Sequence, residues 1–155
     1  MTILNRLRNG VAIGGLSLLL AACQTLGGGS GLIASTVTAE LTPAGASSIA
    51  SDMVGQLGAH VGPGATTIRL RGDGSTFGSA LEQALRSAGY AVASDTRSGA
   101  EAIDLAYAVD TFEGSVMVRL SMVSLDLTRL YQLEGEVALP TSPVSVLRHD
   151  ELGAT

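Results

Sequence analysis

Cys23 is the residue whose type and position most clearly indicate a specific chemistry. It is the only cysteine among 155 residues and follows Leu20, Ala21 and Ala22. These residues close an apolar run over residues 11–20, which is preceded by a segment that carries two arginines. A basic start, an apolar run of about ten residues and then small residues form the plan of a bacterial secretory signal. The sequence therefore predicts a cleaved leader over residues 1–22.

The end of this leader is more specific than a general cleavage site. Leu20-Ala21-Ala22-Cys23 resembles the lipobox, at which a diacylglyceryl group is attached to the cysteine thiol and the peptide is cut just before it. On this interpretation Cys23 carries diacylglycerol and an N-acyl chain, and no other cofactor is expected. Gln24 follows the cysteine where aspartate would be the usual signal for retention in the inner membrane. We therefore expect a lipid anchor at the periplasmic face of the outer membrane.

Other interpretations of the apolar run are weaker. A transmembrane helix needs about 20 apolar residues, whereas this run is about half as long and contains Gly14, Gly15 and Ser17. A helix of a soluble core would need polar residues at helical spacing, and the run offers almost none. An ordinary signal peptide with a free thiol stays open, although the cysteine occupies the position that lipid attachment requires.

Composition limits the partners of the mature chain. Without its leader the chain has 133 residues, enough for one domain. Seven arginines then face fourteen acidic residues, a net charge of −7. A basic face that could neutralise phosphates is not expected, and we therefore expect no direct nucleic-acid binding. Two or three acyl chains anchor a protein firmly, so we assign the membrane contact to the lipid.

The pattern along the chain divides it into four parts. We assign residues 1–22 to the leader, 23–42 to a lipidated tether, 43–140 to a globular domain and 141–155 to a C-terminal tail. The tether contains a glycine-rich stretch over residues 27–31, which is typical of flexible linkers. Residues 32–41 that follow are predicted to be an extended arm, with a first edge strand as the alternative.

Two helices are predicted in the domain. Thr42 and Pro43 fit the cap and the first turn of a helix over residues 44–60. After a short strand at residues 66–70, Ser75 or Thr76 caps a second helix, and Gly89 suits its left-handed end. The spacing of apolar residues gives each helix one apolar face.

The rest of the domain is predicted to be β-structure. Strict alternation over residues 103–110 and 116–122 indicates two strands with one buried face each, joined by a hairpin at residues 113–114. Residues 90–93, 125–131 and 132–139 extend the sheet, with Gly135 as a bulge, and Pro140 and Pro143 end it. The fold class is therefore α+β, with two helices packed on a small, mainly antiparallel sheet.

The mature chain offers few groups for catalysis. The two histidines, His60 and His149, lie far apart in the sequence, and with a single cysteine no metal site is predicted. No Gly-x-Ser-x-Gly motif supports a Ser-His-Asp triad. Glu134 and Glu136 are predicted to project from one solvated face of a strand, and the Arg-Gly-Asp sequence at residues 71–73 is interpreted as a turn. We therefore expect a protein without enzymatic activity.

What remains is a sheet whose exposed edge could accept a strand from another subunit. Met117 and residues 125–127 are candidates for an adhesive surface, although core packing is the more common role of such residues.

Several segments, in this order, resemble the family of the conjugal transfer lipoprotein TrbH. They are residues 37–47 (VTAELTPAGAS), 61–64 (VGPG), 77–85 (FG-x-ALE-x-AL), 89–93 (GYAVA), 112–114 (FEG) and 142–146 (SP-x-SV). The resemblance spans nearly the whole mature chain and includes the lipobox near position 20.

The resemblance implies a part in a mating-pair-formation apparatus, a type IV secretion system that moves plasmid DNA between bacteria. It implies a structural role in the channel, with other channel subunits as partners and two helices on small sheets as the fold. Of the functional positions, Cys23 alone carries over. The alternative is a stand-alone envelope lipoprotein that binds a small ligand or serves envelope maintenance.

Overall fold

The computed structural model describes residues 34–64, 66–93 and 102–149. Cys23 and its lipobox, the leader and most of the tether lie outside these residues. The elements, in chain order, are β1 (Thr36–Val37), α1 (Pro43–Gly58), β2 (Thr67–Leu70), α2 (Thr76–Ser87), β3 (Ala91–Ala93), β4 (Ile103–Phe112), β5 (Ser115–Ser121), β6 (Leu125–Glu134), β7 (Val137–Pro140) and β8 (Ser145–Arg148). Neither described helix is long and apolar enough to span a bilayer.

The helix α1 begins where the sequence predicts. The Thr42 side chain accepts a hydrogen bond from the Gly45 amide at 3.0 Å, and Pro43 is the first helical residue. A cap of this kind satisfies an amide that the helix itself leaves unpaired. The helix ends at Gly58, two residues before the predicted end.

The helix α2 has the predicted signals at both ends. Ser75 accepts a hydrogen bond from the Gly78 amide at 3.0 Å. At the other end Gly89 has a φ of 93°, a left-handed conformation that glycine adopts without strain. The Tyr90 amide then donates to the Leu85 carbonyl at 3.0 Å, which closes the last turn.

The strands form one sheet of eight, in the order β3-β2-β4-β5-β6-β7, with β1 also paired to β4 and β8 also paired to β6. β2 is parallel to β3 and β4, and β1 is parallel to β4. The pairs of β4 with β5, β5 with β6, and β6 with both β7 and β8 are antiparallel. The prediction of two helices and a mainly antiparallel sheet is confirmed, although the sheet has more strands than expected.

The first hairpin lies at the predicted place. Glu113 and Gly114 have φ values of 48° and 79° and join β4 to β5. Positive φ at both central residues is the geometry that matches the twist of a two-residue hairpin.

The second half of the sheet differs from the prediction. β6 continues through residue 134, and Gly135, with a φ of 62°, lies in the turn to β7 and not in a bulge. Glu134 ends β6 and Glu136 lies in the turn, so the prediction that both project from one strand is wrong. The alternating pattern continues through the turn, and it therefore hides the place where the chain reverses.

Two strands lie within the ranges assigned to the tether and the tail. β1 occupies residues 36–37, so the edge-strand alternative describes these two residues. The prediction that Pro140 and Pro143 end the sheet is wrong, because the chain turns back after β7 and β8 pairs with residues 125–128 of β6. β7 pairs only with residues 131–134 of β6, so residues 125–128 stay available for β8.

The core lies between the helices and one face of the sheet. α1 contributes Ile49, Met53 and Leu57, and α2 contributes Leu81 and Leu85, all fully buried. The sheet contributes alternate residues of its central strands: Leu105, Tyr107, Val109, Val116, Val118, Leu120, Leu125, Leu127 and Tyr131. With few aromatic residues, this core is filled mainly by aliphatic side chains.

The loop before α2 is fastened to the sheet by Tyr107. The Tyr107 hydroxyl donates to Asp73 Oδ1 at 2.5 Å and accepts from the Asp73 amide at 3.2 Å. The Ser75 amide donates to the same carboxylate oxygen at 3.0 Å. Burial alone would raise the pKa of Asp73, but the hydrogen bonds from Ser75 and Tyr107 outweigh it and lower the pKa below its ordinary value of 3.8.

This contact predicts a loss of stability in acid. Because the pKa of Asp73 is lowered in the folded state, its contribution is present above about pH 4 and is lost as the pH falls through the folded-state pKa. Asp73→Asn should therefore flatten the decrease of the urea midpoint between pH 4 and pH 2. Burial alone would raise the pKa of Asp104, but Arg71 and Arg69 lower it. Part of the decrease of the urea midpoint in acid should therefore persist in Asp73→Asn. An unchanged slope in Asp73→Asn would contradict the assignment.

Candidate docking edge

The structure brings one serine, one aspartate and one histidine together, but not in the order of a catalytic triad. Asp126 lies between Ser121 and His149: the Ser121 hydroxyl donates to Asp126 Oδ1, and His149 Nε2 lies 3.2 Å from Asp126 Oδ2. The His149 contact does not have the geometry of a hydrogen bond, so it is an ion pair only when the ring is protonated. In a catalytic triad the histidine stands between serine and carboxylate and takes the serine proton. Here the carboxylate occupies the middle, so the cluster holds residue 149 against β6.

The Arg-Gly-Asp sequence is absorbed by the fold. Arg71 Nη2 lies 3.2 Å from Asp104 Oδ2, and Asp73 accepts the Tyr107 hydroxyl. Both charged residues are thus engaged within the domain, in agreement with the interpretation as a turn. Within the ranges 34–64, 66–93 and 102–149, no group of three histidine, cysteine or acidic residues could hold a metal ion.

A groove between α1 and α2 offers about 500 Å³ of space. It is lined by small or uncharged residues: Ser47, Ser51, Val54, Gly55, Ala80, Gln83, Ala84, Ser87 and Ala88. Ligand sites usually combine an enclosed apolar wall with a few convergent polar groups. This groove has neither an aromatic nor a titratable lining residue, so it gives no support to a small-ligand site.

The edges of the sheet are places where the domain could bind another protein through its backbone. Unpaired backbone groups on an edge strand can pair with a further strand. On β7 the Ala138 amide donates to Ser48 Oγ at 3.0 Å, so α1 covers that edge. On β3 the Val92 carbonyl accepts a hydrogen bond from Arg86 of α2 at 3.1 Å. β1 is only two residues long.

β8 differs from these strands because all four of its residues are exposed. Val146 is 38% exposed and Leu147 is 57% exposed. The His149 amide donates to the Ser124 carbonyl at 3.0 Å. With the register of the two strands, this bond determines which residues of β8 direct their backbone groups toward β6. Since hydrogen-bonded pairs alternate along an antiparallel ladder, Leu147 bonds to β6, whereas the backbone groups of Val146 and Arg148 point outward. No other described strand pairs with β8.

The charged residue at the end of β8, Arg148, has no ion pair among the described residues. Arg148 Nη2 lies 3.2 Å from His60 Nδ1 at the end of α1. No described carboxylate forms an ion pair with Arg148, although four other described arginines each have one. Within the described ranges, Arg148 is therefore an arginine at a strand edge without a carboxylate partner. We call residues 145–148, with their outward backbone groups and the Arg148 side chain, the β8 edge.

The residues that the sequence singled out as adhesive lie elsewhere. Leu125 and Leu127 are buried in the core, which confirms the more common role for them. Met117 is half-buried on the sheet face away from the helices, beside Leu130 of β6. The β8 edge was missed because β8 is short, follows two prolines and has no long alternating pattern.

Comparison with known proteins gives the relationships of this chain. The family model described as conjugal transfer protein TrbH matches residues 27–150. A probable conjugal transfer protein TrbH from Sinorhizobium fredii (strain NBRC 101917 / NGR234) is 38% identical over 138 residues, which cover 85% of this chain and 92% of the relative. No solved structure matches the chain.

Proposed function

The chain belongs to the family of the conjugal transfer protein TrbH, and we propose that it is a structural lipoprotein of a conjugative type IV secretion channel. The family membership, which agrees with the resemblance noted in the sequence, is the observation that carries this proposal. The described residues support a role in assembly through the β8 edge, where Val146 and Arg148 present outward backbone groups that no described strand pairs. The partners are other subunits of the channel, and no enzymatic step or direct DNA contact is proposed.

The mechanism that we propose is tethering. Diacylglycerol and an N-acyl chain at Cys23 hold the protein at the periplasmic face of the outer membrane. Ala34, the first described residue, lies eleven positions after Cys23 in the sequence. An extended segment of that length reaches at most about 40 Å, so the anchor confines the domain to a thin layer beside the membrane. Confinement of this kind raises the effective concentration of the domain for partners held in the same layer.

Replacement of Cys23 tests the anchor. Cys23→Ala should abolish metabolic labelling of the protein with palmitate and lower the frequency of plasmid transfer by about tenfold or more, because the gain from tethering is of this order or larger. Transfer is measured by mating of a donor that carries the variant in place of the natural gene. Transfer at the unchanged rate by an unlabelled protein would show that the anchor is not needed.

A matched control separates lipidation from location. Gln24→Asp keeps Cys23 but introduces the residue that favours retention in the inner membrane. This variant should still be labelled with palmitate, should fractionate with the inner membrane and should also lower transfer. Normal transfer by a protein found in the inner membrane would contradict the outer-membrane assignment while leaving lipidation intact.

A further inference from the structure

We propose that the β8 edge is a strand-addition site, where an extended segment of another channel subunit pairs with Val146 and Arg148 and places a carboxylate beside the Arg148 guanidinium. This inference rests on the proposed function, because it names the surface by which the tethered domain would join the channel. It also specifies the chemistry of the partner segment: an extended backbone, an apolar side chain against Leu147 and an acidic residue near Arg148.

The backbone is the first part of the argument. The amide and carbonyl groups of Val146 and Arg148 point away from β6, as the His149 hydrogen bond requires. The corresponding groups on β7 and β3 are engaged by Ser48 and Arg86. The helices therefore cover two edges of the sheet, and no described element covers this one. Strand addition supplies affinity through such main-chain groups.

The side chains give the second part. Leu147 lies beside Asp126 on the sheet face away from the helices, whereas Val146 and Arg148 are on the helix side. An added strand would cover Leu147 with an apolar residue on one face. On the other face, a carboxylate opposite Arg148 would give a cross-strand pair of opposite charge, which stabilises neighbouring strands.

A second copy of this chain fits the β8 edge less well. Two β8 strands paired about Leu147 would place the two Arg148 side chains on one face as diagonal neighbours, about 7–8 Å apart. Both copies would also carry the net negative charge of the chain, so that association between them is opposed by charge at long range as well. A partner segment with an acidic residue removes the first of these penalties.

Proline substitution can block the outer edge without breaking the inner one. The Val146 amide points outward, so Val146→Pro removes a donor for the added strand and leaves the hydrogen bonds to β6 in place; proline is tolerated at such edge positions. Leu147→Pro removes an amide that bonds to β6 and is the matched variant that should lower the urea midpoint. We expect Val146→Pro to lower transfer by about tenfold, the effect of losing about one or two hydrogen bonds, with little change in the urea midpoint.

Charge reversal provides a test that does not alter the backbone. Arg148→Glu should lower transfer by a similar factor, because the partner carboxylate would meet a like charge. Arg119→Glu makes the same change of charge on β5, away from the β8 edge, and should transfer normally. If Val146→Pro fails to fold, this pair of variants decides the question. Normal transfer by Arg148→Glu would overturn the proposal.

Photo-crosslinking identifies the kind of occupant. The variant Leu147→p-benzoylphenylalanine, expressed in full in donor cells, should give a crosslinked product only when the other transfer genes are present, and Val146→Pro should abolish it. The control is Val123→p-benzoylphenylalanine, because Val123 is 75% exposed in the turn between β5 and β6. This control variant should not give the crosslinked product. A product of twice the chain mass in cells that express this protein alone would indicate a second copy and overturn the proposal, as would the absence of any product.

Loss of transfer in Cys23→Ala combined with normal transfer in Val146→Pro would reject the β8 edge and retain the tethering function.

Discussion

Asp52→Ala is expected to lower the free energy of unfolding by about 2 kcal/mol, below the range for breaking a fully buried ion pair, because the side chains of Asp52 and Arg129 are 27% and 17% exposed. Asp52 lies on α1 and meets two residues of β6. Arg129 Nη1 is 3.0 Å and 2.8 Å from its two carboxylate oxygens, and the Tyr131 hydroxyl donates to Oδ2 at 2.6 Å. Arg129 Nε also donates to the Ser142 carbonyl at 2.8 Å. The carboxylate thus joins α1 to the sheet and, through Arg129, to the segment that leads into β8.

The cost follows from what the substitution leaves behind. Arg129 is only 17% exposed and Tyr131 is fully buried, so neither can exchange the lost carboxylate for water without rearrangement. A buried donor left without an acceptor costs more than the net value of the hydrogen bond. Burial, together with the hydrogen bond and the charge of Asp52, raises the pKa of Tyr131 above its ordinary value. The phenol therefore stays protonated in the folded protein, and stability should decrease as the pH rises above about 10, where the unfolded chain ionises.

Urea unfolding of matched variants measures this network. Arg129→Met should cost less in the Asp52→Ala background than alone, with a coupling of about 1–3 kcal/mol. Glu82→Ala is the control, because Glu82 pairs with Arg86 on the exposed surface of α2 and should change stability by less than about 0.5 kcal/mol. An effect of Asp52→Ala no larger than that of Glu82→Ala would show that the network does not stabilise the fold.

The features that the sequence predicted correctly depend on residues close together in the chain. Ser75, Gly89 and the pair Glu113-Gly114 act within one turn of a helix or hairpin, and each is found in its expected role. Local signals of this kind need no knowledge of the remaining fold, since the backbone geometry that they favour is intrinsic to the residues.

The features that the sequence missed depend on distant contacts. The position of β2 between β3 and β4 is set by parallel pairing across a helix and across residues 94–101. β8 exists because β7 leaves half of β6 unpaired, which no local pattern at residues 145–148 reveals. Ala106 and Ala108 are buried on the face where the alternating pattern predicted exposure.

The candidate site falls in this second class. Whether an edge is open depends on which edges the helices cover, and that is decided by Ser48 and Arg86, more than forty residues from β8 and on other elements. The sequence could therefore predict that a sheet edge would serve for docking, but not which one. The Cys23 anchor is the opposite case, since its motif is contained in four consecutive residues.

Gly78→Ala is the second large change that we expect, with a loss of about 2–3 kcal/mol, as for overpacking of a tight site. A Cβ at position 78 would overlap the Tyr107 hydroxyl and would lie 3.3 Å from Tyr107 Cζ and 3.2 Å from Asp73 Oδ1. The Tyr107 ring cannot move aside easily, because it is fully buried, packs edge-on against Phe77 and is held by Asp73. The absence of a side chain at position 78 is what lets α2 lie against β4.

Two further variants make this explanation testable by urea unfolding. Gly55→Ala adds the same methyl to α1, where no atom outside the local helix backbone lies within 4 Å of the new Cβ, and should raise stability by about 0.8–1 kcal/mol from helix propensity alone. Tyr107→Phe removes the overlapping hydroxyl, so Gly78→Ala should cost clearly less in that background than in the natural protein. Because Tyr107→Phe also loses the hydrogen bonds of Asp73, the relevant quantity is the coupling between the two substitutions and not the stability of the double variant. Additive effects of the two substitutions would place the cost of Gly78→Ala somewhere other than this contact.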